Sequence, residues 1–235
     1  MTNYRGLNIP RTALGANVTT DNLFDPNEQV IFDFYEANRG RYRRALDIGA
    51  NIGVHSILMA RLGWEVRAFE PDPEHFAALR RNASAHGVKL DATWAAVADF
   101  DGVAPFIRVL GNTTASHLEG ARAHHGLTEK LFVPVVDCRP PFKWADFAKI
   151  DCEGSEAALI AAVPPLAWSR LEIMIEVGSE KNARAIYNHL RNEVPLWAQK
   201  IGWRRVERLS DMPVHHSEGS LFIGAAPPFP QESHP

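Results

Sequence analysis

From Arg43 onward, short apolar runs alternate with longer stretches in which apolar residues recur at helical spacing, the pattern of a parallel sheet flanked by helices. Arg44–Ile48 reads as a first strand and residues 54–62 as a helix whose Ile57, Leu58 and Leu62 share one face, closed by Gly63. Glu65–Phe69 reads as a second strand, after which Asp72 and Pro73 supply an N-cap and a first helical position for a helix that turns Phe76, Leu79 and Ala83 inward and stops at Gly87. A third strand is expected within 88–97, a fourth over Phe147–Ile150, a fifth over 172–177, and the last two, 203–209 and 220–224, as an antiparallel finish. Between the fourth and fifth strands the pattern predicts a helix over 155–163, stopped by Pro164 and Pro165; after the fifth it predicts a long helix over 180–200, kinked or divided at Pro195. The expectation is an α/β fold, a doubly wound, seven-stranded and mostly parallel Rossmann-like sheet.

Three regions depart from the alternation. Residues 1–40, with Pro10, Gly15 and an amphipathic stretch over 29–35, are expected to cap the edge of the sheet. Residues 103–136 read as an insertion into the main domain of 41–227: 103–110 and 131–136 form extra strands around the polar loop 111–130, which is long enough to suggest a cover for a site. Residues 228–235 read as a frayed tail.

With 46% hydrophobic and 23% charged residues, the 235-residue chain falls in the ordinary globular range, long enough for one α/β domain with decoration. The net charge of −3 supplies no field that would gather nucleic acid or an anionic membrane, and the basic clusters Arg39–Arg44 and Arg204-Arg205 read as solvated faces. Two cysteines, Cys138 and Cys152, make no disulfide framework, and residues 1–10 lack the apolar run of a secretory signal, which points to a cytoplasmic protein. No run is long and apolar enough to span a membrane. Nothing in the sequence bears on oligomeric state.

The segment Asp47-Ile48-Gly49-Ala50-Asn51-Ile52-Gly53 is a glycine turn outside the carboxyl end of the first strand, where α/β sheets bind nucleotides. Gly49 and Gly53 would let backbone approach a ligand, and the Asp47 carboxylate could meet a ligand ammonium directly or through water. Glu70, at the end of the second strand, can accept hydrogen bonds from both hydroxyls of a ribose. Together they bracket an adenosine bearing a charged amino-acid arm. A dinucleotide site would need a glycine where Asn51 stands, and its pyrophosphate would be repelled by Asp47. Two plainer readings, ordinary turn glycines and a scaffold with a degenerate nucleotide fold, are opposed by the intact set of Asp47, Gly49, Gly53 and Glu70.

With DIGANIG at 47–53, FEPDP at 69–73 followed by the Asn82 helix and AAVADFDG at 95–102, and KIDCEGSE at 149–156, the chain resembles the FkbM-type methyltransferases, a branch of the class I S-adenosylmethionine enzymes. The likeness spans about 47–176; IEVG at 175–178 and GSLFIG at 219–224 extend it weakly. It implies S-adenosyl-L-methionine as methyl donor and an oxygen acceptor on a small molecule or glycan. It also implies that Asp47, Gly49, Ala50, Asn51 and Gly53 line the methionine half of the donor, that Glu70 with Pro71 holds the ribose, and that backbone near Ala96 approaches adenine.

A hydroxyl is a poor nucleophile until its proton is removed or polarised, and Asp151 and Glu153, at the end of the fourth strand, are the candidates for that task. Glu176, ending the fifth strand, could stand beside Asp151 and make an oxygen-rich pair of the kind that holds Mg²⁺. Lys149 reads as a partner for a nearby carboxylate, and Ser155 and Glu156 as a helix start. His215 and His216 could reach the same rim as base or metal ligand, while His55, His124 and His125 read as bystanders.

Overall fold

The computed structural model describes residues 2–4, 6–16 and 18–229, with no side-chain description for 2–4; of the expected tail, 230–235 lie outside the described residues. The chain opens with a hairpin of β1 (Thr2–Tyr4) and β2 (Leu7–Ile9), followed by helix α1 (Pro26–Ala37). The main body then runs β3 (Arg44–Ile48), α2 (Val54–Arg61), β4 (Glu65–Phe69), α3 (Pro73–Ala85) and β5 (Asp91–Thr93). Four strands then make a second sheet, β6 (Ala96–Ala98) ahead of the insertion and β7 (Gly102–Val109), β8 (His117–Leu118) and β9 (Thr128–Asp137) across it. The remainder is α4 (Arg139–Trp144), β10 (Phe147–Ile150), α5 (Glu156–Ala162), β11 (Glu172–Glu176), α6 (Glu180–Leu190), β12 (Leu196–Ala198), β13 (Arg204–Arg205) and β14 (Ser220–Ile223).

The main sheet has the order β13-β12-β14-β11-β10-β3-β4-β5, with β5, β4, β3, β10 and β11 mutually parallel and β14 reversed beside β11. Because β12 is antiparallel to β14, it runs with the parallel set, so the seven-strand expectation holds in outline, with the two-residue β13 added at the edge. The identity of the sixth strand differs. The helix expected over 180–200 ends at Leu190, and residues 196–198 beyond Pro195 form β12. Proline pushes the residue before it to extended backbone and offers no N–H, which favours strand over helix at that point. Of the strand expected over 203–209 only β13 remains, since the Asp211 carboxylate takes the N–H groups of Glu207 and Arg208 and curls the chain away.

Caps behave as their chemistry demands. Asp72 accepts from the N–H of Glu74 and His75 at 2.8 and 3.2 Å, and Asp25 caps α1 through Asn27 and Glu28 at 2.8 and 3.0 Å. Ser155 makes no side-chain cap on α5. The Glu156 side chain instead folds back on the preceding turn, both oxygens accepting the Gly154 N–H and Oε2 also accepting from Asn182.

Residues of the 1–40 segment cover a face of the sheet rather than its edge. Phe34 packs on Phe147 and Phe222, with ring centroids 5.3 and 5.4 Å apart, and Tyr35, Tyr42 and Trp64 complete a buried aromatic cluster. α1 thereby continues the layer begun by α2, while α4, α5 and α6 bury the opposite face. The strand expected over 88–97 is split: β5 stays in the main sheet and β6 crosses to a second sheet, ordered β6-β9-β7-β8. β7 and β9 pair antiparallel from Gly102↔Val135 to Val109↔Thr128, as the two flanks of the insertion predict. The 111–130 loop is clasped to the N-terminal segment by Ala16 N–H to the Gly111 carbonyl at 2.9 Å and by Thr113 N–H to the Leu14 carbonyl at 2.8 Å.

Candidate active site

The chain crosses from β5 to β10 past β3, so the sheet's direction of growth reverses between β3 and β10, and the carboxyl ends of those two strands form the crevice where such sheets bind ligands. Gly49 (φ 77°) turns the chain there; a Cβ on it would lie 1.8 Å from the Asp151 carbonyl. Gly53 (φ 91°) opens α2 and would meet the Leu79 side chain at 2.9 Å. The protein's own packing thus excludes a side chain at both positions. Asn51 is left-handed as well, at φ 52°, a conformation asparagine tolerates. Asn82, buried on α3, donates to the Ile52 carbonyl at 2.9 Å and holds the turn from behind.

Glu70 closes the turn. Its Oε2 accepts the Asn51 N–H at 2.7 Å and its Oε1 the Asp72 N–H at 2.8 Å, so each oxygen keeps a lone pair. Burial pushes this carboxyl up to about 8, against the pull of those two backbone donors.

Lys149 lies buried between the two strand ends. Its Nζ stands 3.2 Å from Asp151 Oδ2, 3.4 Å from the Gly49 carbonyl and 3.9 Å from Asp47 Oδ1. Burial works to lower its pKa, and the carboxylates of Asp151, Asp47 and Glu28 more than reverse this, holding it above the usual lysine value. Asp47 is wholly buried: Oδ2 accepts the Ser56 hydroxyl at 2.6 Å, and Oδ1 has no hydrogen-bond partner.

A cavity of about 370 Å³ opens over the crevice. Of the residues singled out from sequence it is lined by Gly49, Asn51, Glu70, Pro71, Ala96, Asp151, Glu153 and Glu176. Asp47, Ala50 and Gly53 stand behind the wall instead, because the turn folds inward onto β10 and α3. Glu153 is held at φ 54° and paired with Arg122; burial and the nearby Asp151 push it up to about 8. Burial, with Asp151, Glu153 and Glu28 close by, raises Glu176 well above the usual range. Among the described residues, no group of three or more His, Cys, Asp and Glu is arranged to hold a metal ion. His215 and His216 line the rim, their rings 3.9 Å apart.

The other walls come from regions without motifs. The N-terminal segment contributes Asn22, Asp25, Asn27 and Glu28, and the insertion contributes Thr113, His117 and Arg122. The imidazole of His75, also on the wall, bonds the Thr113 hydroxyl at 2.9 Å, and that hydroxyl donates to the Leu14 carbonyl, so α3, insertion and N-terminal segment meet at one point. The only sequence sign of these walls was the length of the 111–130 loop. No helix among the described residues is long and apolar enough to cross a membrane.

No protein-family model matches the chain, and no curated protein matches it. Several solved structures resemble its fold. The Thermus thermophilus 16S rRNA N2 G1207 methyltransferase RsmC, in complex with AdoMet and guanosine, is 15% identical with a TM-score of 0.45; the match covers 86% of this chain and 43% of that one, so this chain spans less than half of that protein. An O-methyltransferase from Bacillus cereus in complex with SAH is 12% identical over 85% of this chain and 80% of that one, at a TM-score of 0.47. A precorrin 8W decarboxylase from Methanobacterium thermoautotrophicum is 15% identical over 83% of this chain and 86% of that one, at 0.41. What the site does is therefore argued from its own residues.

Proposed function

We propose that the protein is an S-adenosylmethionine-dependent methyltransferase that acts on a hydroxyl of a small molecule or glycan. The observation that carries the reading is Glu70: a buried carboxylate on the cavity wall, oriented by two backbone N–H groups, with one free lone pair on each oxygen for a vicinal diol. The cavity falls in the size range of small-molecule sites, and Pro71, Ala96, Val97 and Phe106 give its β4–β6 end an apolar lining suited to adenine. A pyrophosphate is disfavoured, since the Asn51 N–H that would meet it already serves Glu70 and carboxylates ring the rest of the wall.

When bound, S-adenosylmethionine supplies an electrophilic methyl group. Asp151, tied to Lys149 and partly open to the cavity, is placed to accept the hydrogen bond of an acceptor hydroxyl and draw off its proton. Burial and the neighbouring carboxylates favour the protonated form of Glu176, in which it can donate to an acceptor oxygen. Asn22, Asn27, His215, His216 and Ser220 line the same end and suit a hydroxyl-rich acceptor better than an apolar one. The test is thermal unfolding beside S-adenosylmethionine, S-adenosylhomocysteine and NAD⁺: a ligand at 100 times its Kd adds about 2.7 kcal/mol. Stabilisation by the first two supports the proposal, and stabilisation by NAD⁺ alone, or by none of the three, overturns it.

A further inference from the structure

Asp47 is the carboxylate that the sequence sets against a ligand's ammonium, yet the fold turns it inward. It is absent from the cavity wall, and its charge is balanced from inside by Lys149 and Ser56. A cation reaching the glycine turn meets a different carboxylate. Glu28, in the first turn of α1, lines the cavity, and its Oε2 lies 2.9 Å from Nε2 of His55. His55 is the second residue of α2, directly behind Gly53, so this contact pins the N-terminal segment beside the glycine turn.

The pair is itself oriented. The Tyr35 hydroxyl stands 2.9 Å from Nδ1 of His55, which anchors the imidazole on that side while Nε2 lies toward Glu28. Phe32, with ring centroid 5.1 Å away, and Tyr35 hold the imidazole on two sides. Against the cost of burial, His55 and then Lys149 keep Glu28 below its usual value. The other cavity carboxylates near the turn are differently engaged: Asp151 faces Lys149, Glu153 faces Arg122, and burial with neighbouring acids raises Glu176.

We infer that Glu28, positioned by His55 and Tyr35, is the counter-ion for the α-ammonium of the donor's amino-acid arm. The inference rests on the cofactor reading above and adds to it a binding residue from the segment that carries no motif. The placement agrees with the sheet: Glu70 follows β4, Gly49 follows β3 and Lys149 lies on β10, and Glu28 and Glu70 both line the same cavity over those strand ends. An ionised carboxylate facing an ammonium in a partly desolvated site is among the stronger polar contacts available to a protein.

The test is calorimetric titration of wild type and Glu28→Gln with two probes, S-adenosylhomocysteine and 5′-methylthioadenosine, the second of which keeps the adenosine and sulfur but lacks the amino-acid arm. The expected result is a loss of about 10- to 100-fold for S-adenosylhomocysteine, the worth of one charge-assisted contact, with methylthioadenosine affinity unchanged. His55→Asn should shift the same selectivity in the same direction and by less, which keeps the idea testable if Glu28→Gln folds poorly. Equal losses for both probes mean a structural role and overturn the inference, as does an unchanged affinity for S-adenosylhomocysteine. Failure of the wild type to bind either probe instead overturns the cofactor reading, a distinct outcome.

Discussion

Glu70 ties the proposed chemistry to pH. Its carboxyl, pushed up to about 8 by burial, is about 1% ionised at pH 6 and about 90% ionised at pH 9. A ribose diol donates hydrogen bonds, and with both oxygens each already holding one backbone N–H, the ionised form offers two acceptor sites where the protonated form offers one fewer. If only the ionised form binds, apparent affinity scales with its fraction, so Kd for 5′-methylthioadenosine should tighten about 90-fold between pH 6 and pH 9, or about 3 kcal/mol. That probe carries no group titrating in the range, so the slope belongs to the protein. In the ligand-free protein the sign reverses: a raised carboxyl pKa contributes stability that is complete below the unfolded value of about 4.5 and is lost as pH rises through about 8. Its ceiling across that window is about 5 kcal/mol. The difference in urea unfolding between wild type and Glu70→Gln, followed from pH 4 to 9, isolates this contribution. Glu70→Gln should flatten both profiles, and since its amide has one acceptor oxygen for two N–H donors, it should also cost about 1–3 kcal/mol near pH 5. A flat affinity between pH 6 and 9, or a Glu70→Gln protein with the wild-type slope, would refute the reasoning.

Lys149→Met leaves Asp47 and Asp151 without their shared cation and should destabilise the protein by about 3–5 kcal/mol in urea unfolding, a loss under 1 kcal/mol being inconsistent with the network. Phe34→Ala should cost about 3–5 kcal/mol by opening the aromatic seam between α1 and the sheet, and a single transition in that variant would show that the N-terminal segment unfolds with the body. Gly15 has φ 131°, and a Cβ there would come within 2.4 Å of the Gly111 carbonyl; Gly15→Ala should therefore loosen the clasp, raising amide exchange over residues 111–118 while leaving β3 and β10 protected, and unchanged exchange would show that the clasp is not what orders the insertion.

The parallel strands and α3 were legible because each rests on a local signal: a short, mostly apolar run for β3 and β10, and Asp followed by Pro for α3. Glu70 was legible for the same reason, as an acid at the end of a strand. Errors gathered where a long-range contact decides the outcome. Residues 196–198 look helical by period, and it is pairing with β14 that makes them a strand. Gly49 does line the cavity, and the packing that excludes a side chain there and at Gly53 comes from Asp151 and Leu79, about 100 and 26 residues away in sequence, beyond any local pattern. Glu28 carries no motif at all, and only the approach of His55, on another helix, marks it.

The cavity's ionic state follows from how those remote pieces meet. Five of the carboxylates on or behind the wall have partners beside them: Asp47 and Asp151 share Lys149 of β10, Glu28 has His55 of α2, Glu153 has Arg122 of the insertion, and Glu70 has the backbone N–H groups of Asn51 and Asp72. Burying so many acids together is costly unless each is paired or protonated. The pairings for Glu28 and Glu153 exist only when the N-terminal segment and the insertion are docked; undocked, Glu28 would lose His55 and Glu153 would lose Arg122. Docking therefore does more than cover the site. It biases which acids carry charge, pulling Glu28 toward its ionised form and Glu176 toward its protonated one, so the two segments without recognisable motifs shape the electrostatics of the motif-bearing strand ends.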